Sequence, residues 1–343
     1  MHKLWNGSNI FSESCMFAIE RQSRLLFNAA KILKVENPST GKLFSEGIDY
    51  IYTPGTDIIQ LTENSSIPFI PYSQAYPTGN VRLHPEENAN AIRNAVNGGY
   101  LLFNNENFFA LNQVEVTYTA VENDFKPELS SQTDRLKRVK SLLGSGSPLK
   151  ISLHGDSISQ GYNSTKFTGT PPFSPPYMEQ VCASLPGEHT FINHALSGKG
   201  INYSRSIKDS WTDDCPDLMV IAYGMNNYAS TPISEFFAEL DWIISENSKV
   251  SPETEYIIVS PMTGNPEWKF TAPGNDLVYG DAFREYVSRK GSSIALADVQ
   301  KVWLKLRERK SFFDLTGNGV NHPNDYGHRV YASVILELLG NIV

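Results

Sequence analysis

Beyond Leu149 short apolar runs alternate with amphipathic stretches, and this alternation limits the fold more than any other feature of the chain. The apolar runs are 150–153, 190–193, 218–222, 256–260 and 294–297, and the stretches of helical character are 176–184, 232–246, 277–289 and 325–339. After Thr231-Pro232, residues Phe236, Leu240, Ile243 and Ile244 fall at helical spacing and read as a core-facing stripe. Apolar strands separated by such helices imply a parallel sheet covered on both faces. In a sheet of that kind, a site forms at the carboxyl ends of the strands.

The first 125 or so residues read differently. Segments rich in β-branched and aromatic residues recur at 16–19, 24–27, 49–52, 58–61, 100–103 and 114–118, and the last alternates strictly, as a half-buried strand does. Pro, Gly and Asn punctuate them at 37–41, 53–55, 76–79 and 104–105. Many short strands with little helix imply an antiparallel β-sandwich of jelly-roll type. A helix over 131–143, capped by Ser131 or Thr133, and then Gly144-Ser-Gly-Ser-Pro148 separate the two patterns. The expected organisation is a β-sandwich accessory domain over 1–130, a connecting helix and linker over 131–148, and an α/β domain over 149–343. Two domains suit a chain of 343 residues.

Composition excludes several functions. The net charge of −8 comes from 37 acidic and 29 basic residues, with no basic stripe, so no nucleic-acid partner is expected. The densest basic run, Arg135-Leu-Lys137-Arg138-Val-Lys140, reads as a solvated helix face. Cys15, Cys182 and Cys215 are too sparse for a disulfide framework or a zinc site and read as small buried residues. No apolar run approaches the roughly 18 residues of a membrane span. The N-terminal Met1-His-Lys-Leu-Trp-Asn6 lacks the apolar centre of a signal peptide. A cytoplasmic protein with no membrane partner is expected, although a secreted chain whose leader has been removed fits the same sequence. The oligomeric state is left open.

Four motifs lie at the ends of apolar runs or before a helix. His154-Gly-Asp-Ser-Ile-Ser-Gln-Gly161 follows the first run directly. A nucleophilic serine needs such exposure at a strand end, a nearby base and backbone N–H groups for an oxyanion. Asp156 or Ser157 would serve equally as an ordinary helix cap, and the motif alone leaves both readings open. Asn193-His-Ala-Leu-Ser-Gly198 offers a glycine N–H, and Gly224-Met-Asn-Asn227 offers amide donors; each is also compatible with a plain turn. His194 fits a packed or capping residue. In Gly317-Asn-Gly-Val-Asn-His322-Pro-Asn-Asp-Tyr-Gly-His328, His322 stands just before a helix, where backbone on both sides aims a base. His328, inside that helix, reads as a core residue.

In order and placement these four blocks resemble the signature blocks of the GDSL/SGNH hydrolases, over residues 149–343. The resemblance implies a flavodoxin-like three-layer α/β fold, Ser157 as nucleophile and His322 as base. It also implies an oxyanion hole built from the Ser157 N–H, the Gly198 N–H and the Asn226 side chain, and chemistry without metal or organic cofactor. The chain departs from the family at two points. Asn227 stands where an Asp is usual. Gly319 stands three residues before the histidine, where the family places its acid. A Ser–His pair with a neutral acceptor is therefore expected, the acceptor being the Asn318 side chain or a carbonyl of the 317–321 loop, with Asp314 folding back as the charged alternative. Some SGNH carbohydrate esterases are similar in dispensing with the acid.

A β-sandwich before such a domain resembles the two-domain carbohydrate esterases, which implies hydrolysis of acyl, above all acetyl, esters of sugars. Aromatics at Tyr162, Phe167, Phe173, Tyr177, Trp211 and Trp268 are candidates for stacking on sugar rings, or equally for packing. A lipid or small-ester hydrolase, an acyltransferase on the same site and a non-catalytic carbohydrate-binding protein remain as alternatives.

Overall fold

The computed structural model describes residues 7–123, 125 and 129–340. The first six residues, read above for a leader segment, lie outside it, as do 124 and 126–128 near the end of the expected accessory domain.

Among the described residues, ten strands precede residue 121: β1 (Asn9–Cys15), β2 (Phe17–Ala18), β3 (Gln22–Asn37), β4 (Lys42–Phe44), β5 (Tyr50–Tyr52), β6 (Thr56–Leu61), β7 (Phe69–Ile70), β8 (Ala91–Arg93), β9 (Tyr100–Leu102) and β10 (Val114–Ala120). Six form an antiparallel sheet of order β1-β10-β3-β6-β5, with β4 also paired to β3, while β2-β7 and β8-β9 are two-stranded ribbons. Burial alternates residue by residue along β10, as its sequence implies.

Five more strands follow among the described residues: β11 (Lys150–Gly155), β12 (Thr190–Asn193), β13 (Leu218–Ala222), β14 (Glu255–Val259) and β15 (Ile294–Ala297). They form one parallel sheet of order β12-β11-β13-β14-β15, the flavodoxin-like arrangement. Leu218 to Ile221 are all buried, which explains why the central strand reads as an unbroken apolar run. The order reverses beside β11, so the crevice that admits a ligand opens at the carboxyl ends of β11 and β13. Long helices cover the sheet, among them Ile233–Val250, Asn275–Ser288 and Asp325–Leu338.

The connecting helix begins later than its sequence suggests, at Lys137, and neither Ser131 nor Thr133 caps it. Tertiary hydrogen bonds claim the intervening backbone. The Gln132 amide pairs with both backbone groups of Leu296, and Leu136, in the left-handed region at φ 55°, donates its N–H to Ser292 O. The segment thus docks along the β15 edge and shields it. The basic run serves that docking and is not merely a solvated face. Arg135 donates to the carbonyls of Gly291 and Ile294, and Arg138 pairs with Asp217 at 2.6 Å. Of the three cysteines Cys15 is buried, Cys182 half-buried and Cys215 exposed, the last against expectation because it sits in a left-handed turn at φ 44°.

Among the described residues no strand from before residue 121 enters the parallel sheet, yet a single apolar core runs from Ile10 to Leu339 through both sheets. A fully buried ion pair crosses between them. Lys310 Nζ donates to Glu13 Oε1 at 2.8 Å and to Arg24 O at 2.7 Å, and lies 3.2 Å from Cys15 Sγ. Glu13 also accepts from Leu26 N–H at 2.8 Å and from the Tyr118 hydroxyl at 2.7 Å. Removing one partner strands a buried charge, at a cost of about 3–5 kcal/mol. Lys310→Met should lower stability by about that much, and adding Glu13→Gln should recover part of the loss. Urea unfolding of the two single variants and the double variant checks this; additive losses would count against it.

Candidate active site

The turn after β11 leaves little choice of residue. A Cβ on Gly155 would lie 2.2 Å from Ser159 Oγ and 3.0 Å from the Ala222 carbonyl, so only glycine lets the chain leave the sheet here. Asp156 then caps a one-turn helix, Ser157–Gln160, by accepting the Ile158 N–H at 3.0 Å. Burial pushes the Asp156 carboxyl up to about 7, against the opposing Ile158 bond. Gly161, at φ 103°, ends the turn. The capping and nucleophile readings of this motif are compatible, because Asp156 supplies the cap and Ser157, next in sequence, is free to point elsewhere. As the first helical residue, Ser157 has a backbone N–H with no partner within the helix.

Ser157 Oγ lies 2.9 Å from His322 Nε2, across 165 residues of sequence. On the far side of the ring, His322 Nδ1 lies 2.8 Å from Asn163 Oδ1. Burial, with smaller contributions from His328 and His84, pushes the His322 imidazole down from 6.5 to about 3. Burial thus favours the neutral ring at ordinary pH.

The loop that carries His322 is held from several sides. Asn318 Oδ1 accepts the N–H groups of Val320, Asn321 and His322 at 3.0, 3.0 and 3.2 Å, and Gly317 N–H donates to His322 O at 2.9 Å. Asn265 donates its N–H to Val320 O and its side-chain amide to Gly319 O. Asp314 Oδ2 accepts from the Ser311 hydroxyl in a capping box, and its Oδ1 accepts the Met16 N–H at 2.7 Å. Neither Asn318 nor Asp314 therefore meets the imidazole with its side chain. The side chain that stands at Nδ1 is that of Asn163, which carries no charge. Sequence reasoning passed over this residue because an Asn after a one-turn helix reads as turn chemistry. The one local signal was Gly161-Tyr-Asn163, a pair of turn residues immediately after the serine motif.

Gly198 is exposed in the turn after β12, at φ 74°. Asn226, at the end of β13, donates from Nδ2 to Lys199 O at 3.0 Å, which brings these two expected residues to neighbouring turns. Asn227, standing where an Asp is usual in the family, is buried. It accepts the Ile201 N–H and donates to Thr231 Oγ1, bracing the 200–201 turn. His194 is bound to Asp214 at 2.6 Å, and His328 lies in the core against the Tyr177 ring, so both act as packing residues. Among the candidate stacking aromatics, Tyr177 and Trp211 are fully buried and present no face to a ligand. Tyr162 packs edge-on against the His322 ring at 5.3 Å, Phe167 lies on Tyr162 at 4.3 Å, and both Phe167 and Phe173 are exposed. Trp268 is half-buried beside Phe270.

Residues 153–330 match the family described as GDSL-like lipase/acylhydrolase. No curated protein matches the chain. Among solved structures the chain is similar to a catalytic mutant of an acetylxylan esterase from Geobacillus stearothermophilus, with 18% identity, 56% of this chain and 94% of that chain covered and a TM-score of 0.45. It is similar to a member of the lipolytic G-D-S-L family from Veillonella parvula, with 19% identity, 57% and 99% covered and a TM-score of 0.45. A two-domain esterase active on acetylated mannans is 20% identical over 60% of this chain and 53% of that chain, with a TM-score of 0.46.

The site yields one prediction about the missing acid. A Cβ on Gly319, which has φ 80°, would lie 2.8 Å from Phe109 Cζ and 2.9 Å from the Leu102 carbonyl. Gly319→Asp should therefore destabilise the protein, by about 1–3 kcal/mol for the strained backbone alone, and should lower any activity of the site. Thermal unfolding and turnover of the variant check this; a stable variant of raised activity would contradict it.

Proposed function

Because the chain belongs to the GDSL-like lipase/acylhydrolase family, we propose that it is a serine esterase in which Ser157 is the nucleophile and His322 the general base. The observation that carries this reading is the 2.9 Å contact between Ser157 Oγ and His322 Nε2. His322 takes the hydroxyl proton as Ser157 Oγ bonds to the ester carbonyl carbon. The negative charge then on the carbonyl oxygen meets the Ser157 N–H, the Gly198 N–H and Asn226. One hydrogen of Asn226 Nδ2 is engaged with Lys199 O, which leaves the second for the oxyanion. Collapse expels the alcohol, which leaves with the proton from His322. Water then adds to the acyl-enzyme with His322 again as base, and releases the acid. No step calls on a metal or organic cofactor.

The substrate class we propose is an acyl, above all acetyl, ester of a carbohydrate. The exposed ring of Phe167 supports it, since it stands beside Tyr162 at the edge of His322 and aromatic faces suit the C–H faces of sugars. Turnover of acetylated xylose or cellobiose well above that of long-chain acyl esters is the expected result of a substrate panel; the reverse order would favour a lipid esterase. Ser157→Ala should lose at least about 10³-fold in kcat with the fold intact. A folded variant that keeps most of its activity would remove Ser157 from the mechanism. The low pKa of His322 sets the sign of the pH dependence. A base that protonates only near pH 3 keeps kcat/KM level from pH 7 to below pH 5, whereas an ordinary histidine would begin to lose activity near 6.5.

A further inference from the structure

We infer that Asn163 is the positioning residue of this site, a neutral amide that fixes the His322 tautomer a general base needs. The inference rests on the reading of Ser157 and His322 as nucleophile and base.

A base that accepts a proton at Nε2 must carry its own proton at Nδ1. Only an acceptor facing Nδ1 enforces that, and an amide can present either an oxygen or an NH₂ group. Here the choice is made by Gly317, whose carbonyl accepts from Asn163 Nδ2 at 3.1 Å. Turning the amide over would set two oxygens against each other at Gly317, a clash that no tautomer of His322 relieves. Oδ1 therefore faces the imidazole, and the imidazole proton sits on Nδ1. The lone pair of Nε2 is left for the Ser157 hydroxyl, 2.9 Å away.

Asn163 is itself anchored. Its backbone holds φ 61°, a conformation that Asn tolerates better than most residues. The next residue, Ser164, donates both its N–H and its hydroxyl to Gly161 O, and Thr165 donates its N–H and hydroxyl to the Asp325 carboxylate at 2.8 and 2.7 Å. A Cβ on Gly317 would lie 2.6 Å from Asn163 Cβ, so the two segments touch and no water fits between them there. The titratable groups whose charge bears on His322 are His328, from the helix behind it, and His84, from the N-terminal region. Asp325 is engaged with Thr165, and Asp314 with Ser311 and Met16. Among the described residues no carboxylate hydrogen-bonds to the ring. The imidazolium formed during turnover thus meets an amide dipole in place of a charge, and the oxyanion donors carry correspondingly more of the stabilisation.

Two variants and one spectroscopic readout test the assignment. Glycine accepts φ 61° without strain, so Asn163→Gly deletes the acceptor while keeping the backbone; kcat should fall by about 10²-fold or more with KM within a few-fold. Asn163→Asp places a carboxylate against Nδ1 and should raise the acid limb of kcat/KM by at least about one pH unit. Long-range ¹H–¹⁵N correlation of histidine-labelled protein reads the tautomer directly, with Nδ1 protonated in the wild type and a mixture in Asn163→Gly. The inference is overturned if His322 is Nε2-protonated in the wild type, or if Asn163→Gly keeps both its kcat and its tautomer while Asn163→Asp leaves the acid limb in place. Failure of the parent reading looks different: the wild type then hydrolyses no acyl ester, and the tautomer measurement still decides the role of Asn163.

Discussion

The contact between Ser157 and His322 joins two segments 165 residues apart, and it exists only because the 316–324 loop is held still. Within the loop, one side-chain oxygen of Asn318 gathers three successive N–H groups, and the Gly317 N–H closes on the carbonyl of His322. At its start the carbonyls of Phe313 and Thr316 both accept from Gln113. At its end Asn324 caps the terminal helix and donates to Ser14 Oγ and to Asp314 O. A base that must sit within hydrogen-bond reach of its nucleophile loses rate steeply when it is displaced, so these bonds bear on chemistry as well as on stability.

Several of them come from the N-terminal region. Gln113 and Ser14 flank or lie in its sheet, and Phe109 and Leu102 press against Gly319. Phe109 also stacks on Phe313 in a second apolar cluster that reaches Val320, two residues before His322. Together with the buried Lys310–Glu13 pair and the shared core, this makes the N-terminal sheet one wall of the histidine loop. The same wall explains Gly319. The space a side chain would need there is filled by another part of the chain, and the side chain that meets the imidazole at Nδ1 comes from the segment after Ser157.

Much of the parallel sheet was legible in the sequence because buried parallel strands leave a simple trace: Leu218–Ile221 of β13 and Tyr256–Val259 of β14 read as unbroken apolar runs and are buried at every position. The pairing of Ser157 with His322 was legible through motif order. Asn163 was not, because its role depends on where the fold brings Gly317 and His322, and no local pattern encodes that meeting. The start of the connecting helix was misplaced for a related reason: propensity placed it at 131, and hydrogen bonds to a strand about 160 residues away moved it to Lys137. The exposed and buried aromatics likewise looked alike in sequence. Trp211 and Phe173 are equally suited to a sugar face by chemistry, and only packing separates them.

The central claim is that Ser157 is activated by a histidine whose tautomer is set without a carboxylate. Labelling with a fluorophosphonate, followed by peptide mass spectrometry, addresses its first half most directly, since the reagent needs an activated serine and no knowledge of the substrate. The account predicts a single adduct on Ser157 in the wild-type protein and a rate of labelling that collapses in His322→Ala. An adduct on another serine, or labelling of Ser157 that proceeds unchanged without His322, would contradict it.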